Sequence, residues 1–259
     1  MLMMFQLCQV MVILISFSSS ITLLASDQLH PGEVNEDGQL SLKFVDSCQP
    51  NGLVKTELTS APPNLEGNST IECNCSITDD NYCHITSFLL KDYSLPGRLP
   101  PELANLTYVQ KIRVSDNNLN GTVPEFIGNW TQLQKLVLYA TGLQGLIPLA
   151  IFYLEKLSDL RIADMPGPEF QLPNVTIRRD TLVLRNINLT GTIPENAWKV
   201  ETTLDLTFNK LVGEIPPNTI RRRQFTFLSG NKLTGTVQDP FLQNSPNLSM
   251  TNACKFMTA

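Results

Sequence analysis

Six cationic side chains and one tyrosine recur in this sequence at spacings that would place them side by side. They are Lys91, Lys111, Arg113, Lys135, Tyr139, Arg161 and Arg185. An ammonium group binds an anion as a point charge, and a guanidinium group binds a carboxylate or sulfate through two parallel hydrogen bonds. The set predicts a site for an anionic ligand such as an acidic peptide, a sulfated group or a uronate chain. The alternative is an ordinary solvated surface.

A recurring sequence motif would bring these residues together in the fold. With a glycine as origin, apolar residues precede it by nine, seven and two positions, often an asparagine by four, and a proline follows by three. The frame fits at Gly97, Gly121, Gly145, Gly191 and Gly213, and at Gly235 with Thr226 and Gln238 in place of the first apolar residue and the proline. The spacings are 24, 24, 46, 22 and 22 residues, and the 46-residue interval holds two units. A period of about 20–29 residues with this pattern is typical of a leucine-rich repeat.

Two apolar positions in each unit alternate as they do on one face of a strand. They are Phe88 and Leu90, Ile112 and Val114, Leu136 and Leu138, Leu160 and Ile162, Leu182 and Leu184, Leu204 and Leu206, and Thr226 and Leu228. Leu248 and Met250 continue the 22-residue spacing and predict a further, partial strand. The predicted fold is an α/β-type leucine-rich repeat solenoid, right-handed, with about seven to eight coils and a parallel β-sheet on its concave face. The seven candidate residues would face outward from that sheet.

Two further features of the repeats predict local structure. Asn117, Asn209 and Asn231 stand where a buried amide can bond the backbone of a turn, and Tyr93, Thr141 and Ile187 replace it in other coils. The coil from Ala163 to Val175 is irregular, with Pro166, Pro168 and Pro173 in place of the usual pattern. Because prolines lack the N–H donor, no regular second strand is expected there. A protruding loop and a decayed repeat are both compatible with it.

Four cysteines cluster before the repeats and predict a disulfide-bonded N-terminal cap. They are Cys48, Cys73, Cys75 and Cys83. Two disulfides in an oxidising compartment explain them, with the pairing open, and a zinc site is the alternative. Such a cap would cover the edge of the first repeat strand. Cys254 has no evident partner in the mature chain.

The predicted organisation is that of a secreted chain. Residues 1–26 read as a signal peptide, 27–83 as the cap, 84–252 as the repeats and 253–259 as a tail. An uncleaved membrane anchor is the alternative for the first segment. Eight Asn-x-Ser/Thr sequons occur, at Asn68, Asn74, Asn105, Asn120, Asn129, Asn174, Asn188 and Asn247. Their number predicts a glycoprotein outside the cell, either secreted into the apoplast or held at the cell surface by a partner.

Composition and motifs argue against catalysis. The chain has two histidines and a net charge of −5, which disfavours imidazole chemistry and nucleic-acid binding. It contains no Gly-x-Ser-x-Gly, no metal-binding histidine pair and no phosphate loop. No catalytic residue, metal or cofactor is therefore expected.

The repeats resemble the plant-specific leucine-rich repeat, and more narrowly the ectodomain of plant leucine-rich repeat receptor-like serine/threonine kinases that also carry a malectin-like domain. The marks are Cys73-Asn-Cys75 with Cys83-His84-Ile85-Thr86, Leu99-Pro-Pro-Glu-Leu103, Phe126-Ile-Gly-Asn-Trp130-Thr, Leu160-Arg-Ile-Ala-Asp164 and Leu182-Val-Leu-Arg-Asn186. The resemblance covers about residues 70–252. The sequence stops before malectin-like, membrane-spanning and kinase parts, so the resemblance implies an extracellular sensing module without kinase activity.

Three functions are compatible with this resemblance. The first is a receptor-like recognition module, in a signalling ectodomain or a soluble decoy or co-receptor. Its partners would be an extracellular peptide, a protein or an anionic carbohydrate, together with a membrane receptor kinase, and not nucleic acid. The second is an inhibitor of secreted cell-wall hydrolases, which uses the same repeat. The third is a truncated fragment of a receptor-like kinase.

Overall fold

The structure is a computed structural model that describes most of the repeat region. The described residues are 12–15, 21–24, 44–45, 53–58, 70–74, 76–77, 84–92, 96–99, 101–176, 178–216, 225–235 and 247–249. The strands are β1 (Val12–Ile15), β2 (Ile21–Leu24), β3 (Phe44–Val45), β4 (Leu53–Leu58), β5 (Thr70–Asn74), β6 (His84–Lys91), β7 (Pro96–Gly97), β8 (Lys111–Ser115), β9 (Asn118–Leu119), β10 (Lys135–Tyr139), β11 (Asp159–Ala163), β12 (Phe170–Gln171), β13 (Thr181–Arg185), β14 (Leu189–Thr190), β15 (Thr203–Asp205), β16 (Val212–Glu214), β17 (Phe225–Phe227), β18 (Lys232–Thr234) and β19 (Asn247–Ser249).

One long sheet runs through the repeats, in the order β19-β17-β15-β13-β11-β10-β8-β6-β5-β4-β3. From β6 to β19 neighbouring strands are parallel. Residues 22 or 24 apart stand opposite one another, as in Leu136 with Leu160 and Leu160 with Leu182. The pairing of Thr226 with Leu248 extends the same register to the last strand. The predicted leucine-rich repeat solenoid is therefore confirmed as the fold.

The alternating apolar residues form the core, as the strand pattern predicts. Leu136, Leu138, Leu160 and Ile162 are fully buried. Each such side chain stabilises the fold by roughly 1.5–3 kcal/mol on burial. The described helical segments between the strands are short 3-10 turns rather than α-helices. These turns are Pro101–Asn105, Glu125–Asn129, Leu149–Tyr153 and Glu195–Lys199.

The N-terminal strands cover the edge of the repeat sheet. Strands β3, β4 and β5 pair in antiparallel fashion, and β5 pairs with β6 across a bulge between Glu72 and Cys73. Covering an edge strand satisfies N–H and C=O groups that would otherwise face water. The predicted disulfides lie outside the described residues, because Cys48, Cys75 and Cys83 are not described, and neither is the side chain of Cys73.

Strands β1 and β2 fall in the segment predicted to be a signal peptide. They pair with each other in antiparallel fashion and form a separate two-stranded sheet. Among the residues that the structure describes, no helix has the length and apolar character needed to cross a bilayer.

Buried asparagines tie successive coils together. Asn209 Nδ2 donates to the carbonyl oxygen of Leu184, 2.7 Å away in the preceding coil, and to that of Leu206 at 3.0 Å. Its Oδ1 accepts the backbone N–H groups of Ile187 at 3.2 Å and Leu189 at 3.1 Å. Asn231 and Asn117 also donate to the coil before them. The predicted role of these amides is confirmed.

The proline-rich coil does form a short second strand. Strand β12 pairs in parallel with β14, and Phe170 donates its N–H to the carbonyl oxygen of Asn188 at 3.4 Å. The prediction that no regular second strand forms here is wrong. Pro168 precedes and Pro173 follows the strand, so the paired residues keep their N–H groups.

Arg179 replaces an apolar core residue just after this coil. Other coils place Val109, Leu133 or Leu157 at this position, two residues before the strand. Arg179 is 3% exposed, and its guanidinium donates to the carbonyl oxygens of Leu157 and, at 2.7 Å, Phe152. Burial lowers the pKa of Arg179 to about 10, so the side chain stays charged at neutral pH. Within the described residues no carboxylate pairs with it.

Replacing Arg179 with Ala should lower the free energy of unfolding by about 3 kcal/mol, because two buried carbonyl groups lose charged donors and a cavity forms. Arg179→Leu should cost less, since leucine fills the space as it does in other coils. Urea unfolding measures both. Arg178 is the matched control, because it is exposed and pairs with Glu201 at the surface, 2.8 Å away. Equal losses for Arg178→Ala and Arg179→Ala would contradict this role.

Candidate ligand-binding face

The outward side of the repeat sheet carries all seven candidate residues. We call this side the open sheet face and define it by three rows that run across the strands. The rows are Ser87, Lys111, Lys135, Asp159, Thr181, Thr203 and Phe225; Leu89, Arg113, Val137, Arg161, Val183, Asp205 and Phe227; and Lys91, Ser115, Tyr139, Ala163, Arg185, Thr207 and Ser229. Neighbours in a row lie on adjacent strands, about 4.8 Å apart. The register therefore groups the candidates on β6 to β13.

Carboxylates neutralise four of the six cations. Lys91 Nζ lies 3.2 Å from Asp92, and Arg185 Nη2 lies 3.1 Å from Asp164. Lys135 Nζ is 2.9 Å from the carboxylate of Asp159. Arg161 makes two bonds to that same carboxylate, as described below. The face is thus of mixed charge rather than uniformly basic.

Turn geometry explains why acidic residues stand beside Lys91 and Arg185. The residue that follows β6, β8, β11 or β13 adopts the left-handed conformation, with φ of 61° at Asp92, 56° at Asp116, 57° at Asp164 and 52° at Asn186. Aspartate and asparagine tolerate this region better than most other non-glycine residues. The turn that ends the strand therefore places a carboxylate at the edge of the open sheet face. An Asp or Asn directly after a strand is the sequence feature that would have indicated these carboxylates.

Asp159, Arg161 and Tyr139 form a connected cluster at the centre of the face. Arg161 donates from Nε to Asp159 Oδ1 at 2.6 Å and from Nη2 to Oδ2 at 3.0 Å. This hydrogen bonding raises the pKa of Arg161. Burial raises the pKa of Tyr139 to about 12, against the opposing effect of the Arg161 charge and hydrogen bond. At neutral pH the cluster presents a protonated phenol and a guanidinium that is already held in place.

Two cations remain without a carboxylate partner among the described residues. Lys111 is exposed, and Arg113 is half-buried and donates from Nε to the hydroxyl oxygen of Ser115 at 3.3 Å. Both project from β8 on the same side, because they are two residues apart. The arrangement leaves an ammonium and most of a guanidinium available to an anionic group. Val137 separates Arg113 from Arg161 along the row and is buried.

The predicted glycosylation sites differ in their surroundings. Asn105, Asn120, Asn129 and Asn174 are exposed, whereas Asn74 and Asn188 are half-buried. Asn188 Nδ2 donates to the carbonyl oxygen of Gly167 at 2.7 Å. Asn74 Oδ1 accepts the N–H of Ser76 at 2.8 Å. Asn68 and the side chain of Asn247 lie outside the described residues.

Part of the repeat region is similar in sequence to plant receptor-like kinases. The Leucine Rich Repeat family model matches residues 108–130. A probable LRR receptor-like serine/threonine-protein kinase of Arabidopsis thaliana is 37% identical over 112 residues, which are 39% of this chain and 11% of that protein. A second such kinase from the same plant, RFK1, is 44% identical over 55 residues, or 21% of this chain and 5% of the relative. The chain thus spans about a tenth or less of the relatives it matches.

Solved structures agree on the fold. The PEPR1–AtPEP1 structure superposes with a TM-score of 0.52 at 26% identity, over 68% of this chain and 25% of that one. The Arabidopsis receptor kinase HAESA, solved with the peptide hormone IDA and the co-receptor SERK1, gives a TM-score of 0.54 at 22% identity, over 65% and 30%. The chain has the leucine-rich repeat fold and is similar in sequence to plant receptor-like kinases.

Proposed function

We propose that this leucine-rich repeat chain, a relative of plant receptor-like serine/threonine kinases, is an extracellular recognition module that binds an extended peptide, free or part of a protein, on its open sheet face. The observation that carries the proposal is the Asp159–Arg161–Tyr139 cluster on adjacent rigid strands, next to the unneutralised Lys111 and Arg113. Side chains fixed by such bonds lose little entropy when a ligand binds. Support also comes from the relatives, which are named as receptor-like kinases.

The charges favour a peptide over a polyanionic carbohydrate. A uronate chain carries a carboxylate on every sugar and would meet Asp205 on the same face, where Asp159 and Asp164 already pair with the neighbouring cations. Like charges repel, and the cost rises as water is excluded. A peptide with one acidic group can place it on Lys111 and Arg113 and its backbone amides over the polar cluster. Arg113 can then bind the carboxylate through two parallel hydrogen bonds.

Peptide selection tests this function. The secreted chain is immobilised and a random decapeptide display library is selected on it, in parallel with a chain carrying Arg113→Glu. Selection on the wild type should enrich Asp or Glu, and an excess of oligogalacturonate should not elute the bound peptides. Enrichment without acidic residues, equal enrichment on both chains, or complete elution by oligogalacturonate would each overturn the proposal.

Glycosylation offers an independent check of the proposed secretory location. In the folded protein a sugar on Asn188 would replace one of the two hydrogens on a half-buried amide that bonds to Gly167, so we expect this site to be unmodified. The exposed sites Asn105, Asn120 and Asn129 make no such bond within the described residues and should carry glycans. Peptide mapping by mass spectrometry, after enzymatic release of glycans in ¹⁸O-labelled water, measures occupancy at each site. Full glycan occupancy at Asn188 would contradict the expectation that its half-buried, hydrogen-bonded amide stays unmodified.

A further inference from the structure

The turn Leu149–Tyr153 differs from its neighbours in what it presents to water. Tyr153 is 59% exposed and Leu149 is 54% exposed. The equivalent residues one coil earlier, 24 positions back, are Asn129 and Glu125, both exposed and polar. Exposed apolar groups gathered in one place commonly mark a contact site. We call the surface around this turn the flank of the solenoid. It lies away from the open sheet face, so the proposed peptide does not cover these exposed apolar side chains.

A groove runs beside Tyr153 between this turn and the preceding one. Its volume is about 700 Å³, and it is lined by Gly128, Thr131, Gln132, Ala150, Tyr153, Leu154, Glu155 and Lys156. The two turns approach closely here, since a Cβ built on Gly128 would lie 2.4 Å from that of Ala150. Residue 128 therefore contributes no side chain to fill the space. The walls combine an aromatic ring with the amide of Gln132 and the ammonium of Lys156, which are hydrogen-bonded to each other.

The groove shares one lining residue with a glycosylation sequon. Asn129, Trp130 and Thr131 make up the sequon, and Thr131 itself lines the groove. Asn129 is exposed, and within the described part of the chain its side-chain amide makes no hydrogen bond. Tyr153 stands at the position of Asn129 in the next coil, so a sugar on Asn129 starts one coil away from the ring.

We propose that this groove holds the first sugars of an N-glycan on Asn129, with a pyranose face against the ring of Tyr153. The glycan is attached when the Asn129 amide nitrogen bonds to C1 of a lipid-linked oligosaccharide. The bond from C1 to the lipid diphosphate breaks, and the amide loses one proton. Gln132 and Lys156 then bind the acetamido and hydroxyl groups. C–H groups of the sugar ring meet the negative face of the aromatic ring. This inference rests on the proposed secretory location.

A tethered glycan fits the groove better than a separate protein does. Attachment at Asn129 keeps the sugar at millimolar effective concentration beside the ring, so even a weak contact is occupied. The same glycan would also obstruct a protein that approached this flank. Asn105 is the natural comparison, because it ends the preceding turn and its equivalent in the next coil is Asn129, which is not aromatic.

A double-mutant cycle on the glycosylated protein tests the contact. Asn129→Gln and Asn105→Gln are each made with Tyr153 intact and with Tyr153→Ser, glycans are trimmed to one N-acetylglucosamine, and Tm is measured. Loss of the Asn129 glycan should lower Tm by about 2–4 °C when Tyr153 is present and by less than about 1 °C in Tyr153→Ser. Asn105→Gln should shift Tm by less than about 1 °C in both backgrounds.

Each other outcome overturns the inference. Equal Tm shifts for Asn129→Gln in the two backgrounds would show that Tyr153 does not hold the sugar. If mass spectrometry finds Asn129 unmodified in the secreted protein, there is no glycan for the groove to hold. Neither result involves a peptide ligand. Failure here therefore leaves the proposed peptide-binding function standing, and failure of peptide selection leaves this contact standing.

Discussion

Replacing Asn209 with Ala is expected to lower the free energy of unfolding by about 3–5 kcal/mol, a large part of the roughly 5–15 kcal/mol that holds a domain together. Asn209 is 6% exposed and bonds backbone groups of its own coil and of the coil before it. Alanine leaves these buried carbonyl and N–H groups without partners. Each such group costs roughly 1–3 kcal/mol, and the costs do not simply add.

Two variants sharpen this test in urea unfolding. Asn209→Thr should lose less stability, because Thr141 stands at the equivalent position and its Oγ1 accepts the N–H of Leu143 at 3.2 Å. Asn118→Ala is the matched control, since Asn118 is exposed. It should change the free energy of unfolding by less than about 0.5 kcal/mol. A loss for Asn209→Ala no larger than that of Asn118→Ala would contradict the role of the buried amide.

Reversing the charges of Lys111 and Arg113 together is expected to weaken peptide binding by about 100-fold. Both side chains lie on the open sheet face without carboxylate partners among the described residues. Glutamate at both positions replaces attraction for a ligand carboxylate by repulsion. A change of about 2.7 kcal/mol corresponds to that factor. The affinity of the wild type should also fall as salt is raised, because these charges are screened. Isothermal titration with the most enriched selected peptide measures the effect.

Lys156→Glu is a control for the reversal of a single charge elsewhere on the protein. It makes the same substitution on the flank of the solenoid, at an exposed residue away from the open sheet face. Binding should change less than about threefold, since an exposed charge outside the open sheet face is screened by physiological salt. Weakening of similar size for Lys156→Glu would mean that net charge, and not the face, governs binding.

The repeat register could be predicted from sequence because its signal is periodic. Strands require apolar residues at alternate positions, and parallel stacking requires the same residues in every coil, so Leu136, Leu160 and Leu182 had to align. The positions of the candidate cations on one face followed from the same counting. The hydrogen bonds of Asn209 to the neighbouring coil could also be predicted, because a polar side chain buried among apolar ones needs hydrogen-bond partners.

Side-chain pairing could not be predicted in the same way. Whether Arg185 meets Asp164 depends on the left-handed turn that ends β11, and a periodic pattern of apolar residues does not report that conformation. The number of prolines alone does not reveal the strand at Phe170–Gln171, because Pro168 and Pro173 flank the strand and leave its N–H groups able to pair. The burial of Arg179 could not be predicted, because a charged residue does not match the apolar pattern that indicates core positions.

Site-specific photocrosslinking shows whether the ligand lies on the open sheet face. The photoreactive residue p-benzoylphenylalanine is placed at Tyr139, in the central cluster, or at Tyr153, on the flank, and each chain is irradiated with the selected acidic peptide. Crosslinking at position 139, with none at 153, is the expected result. Crosslinking at 153 and none at 139 would contradict it.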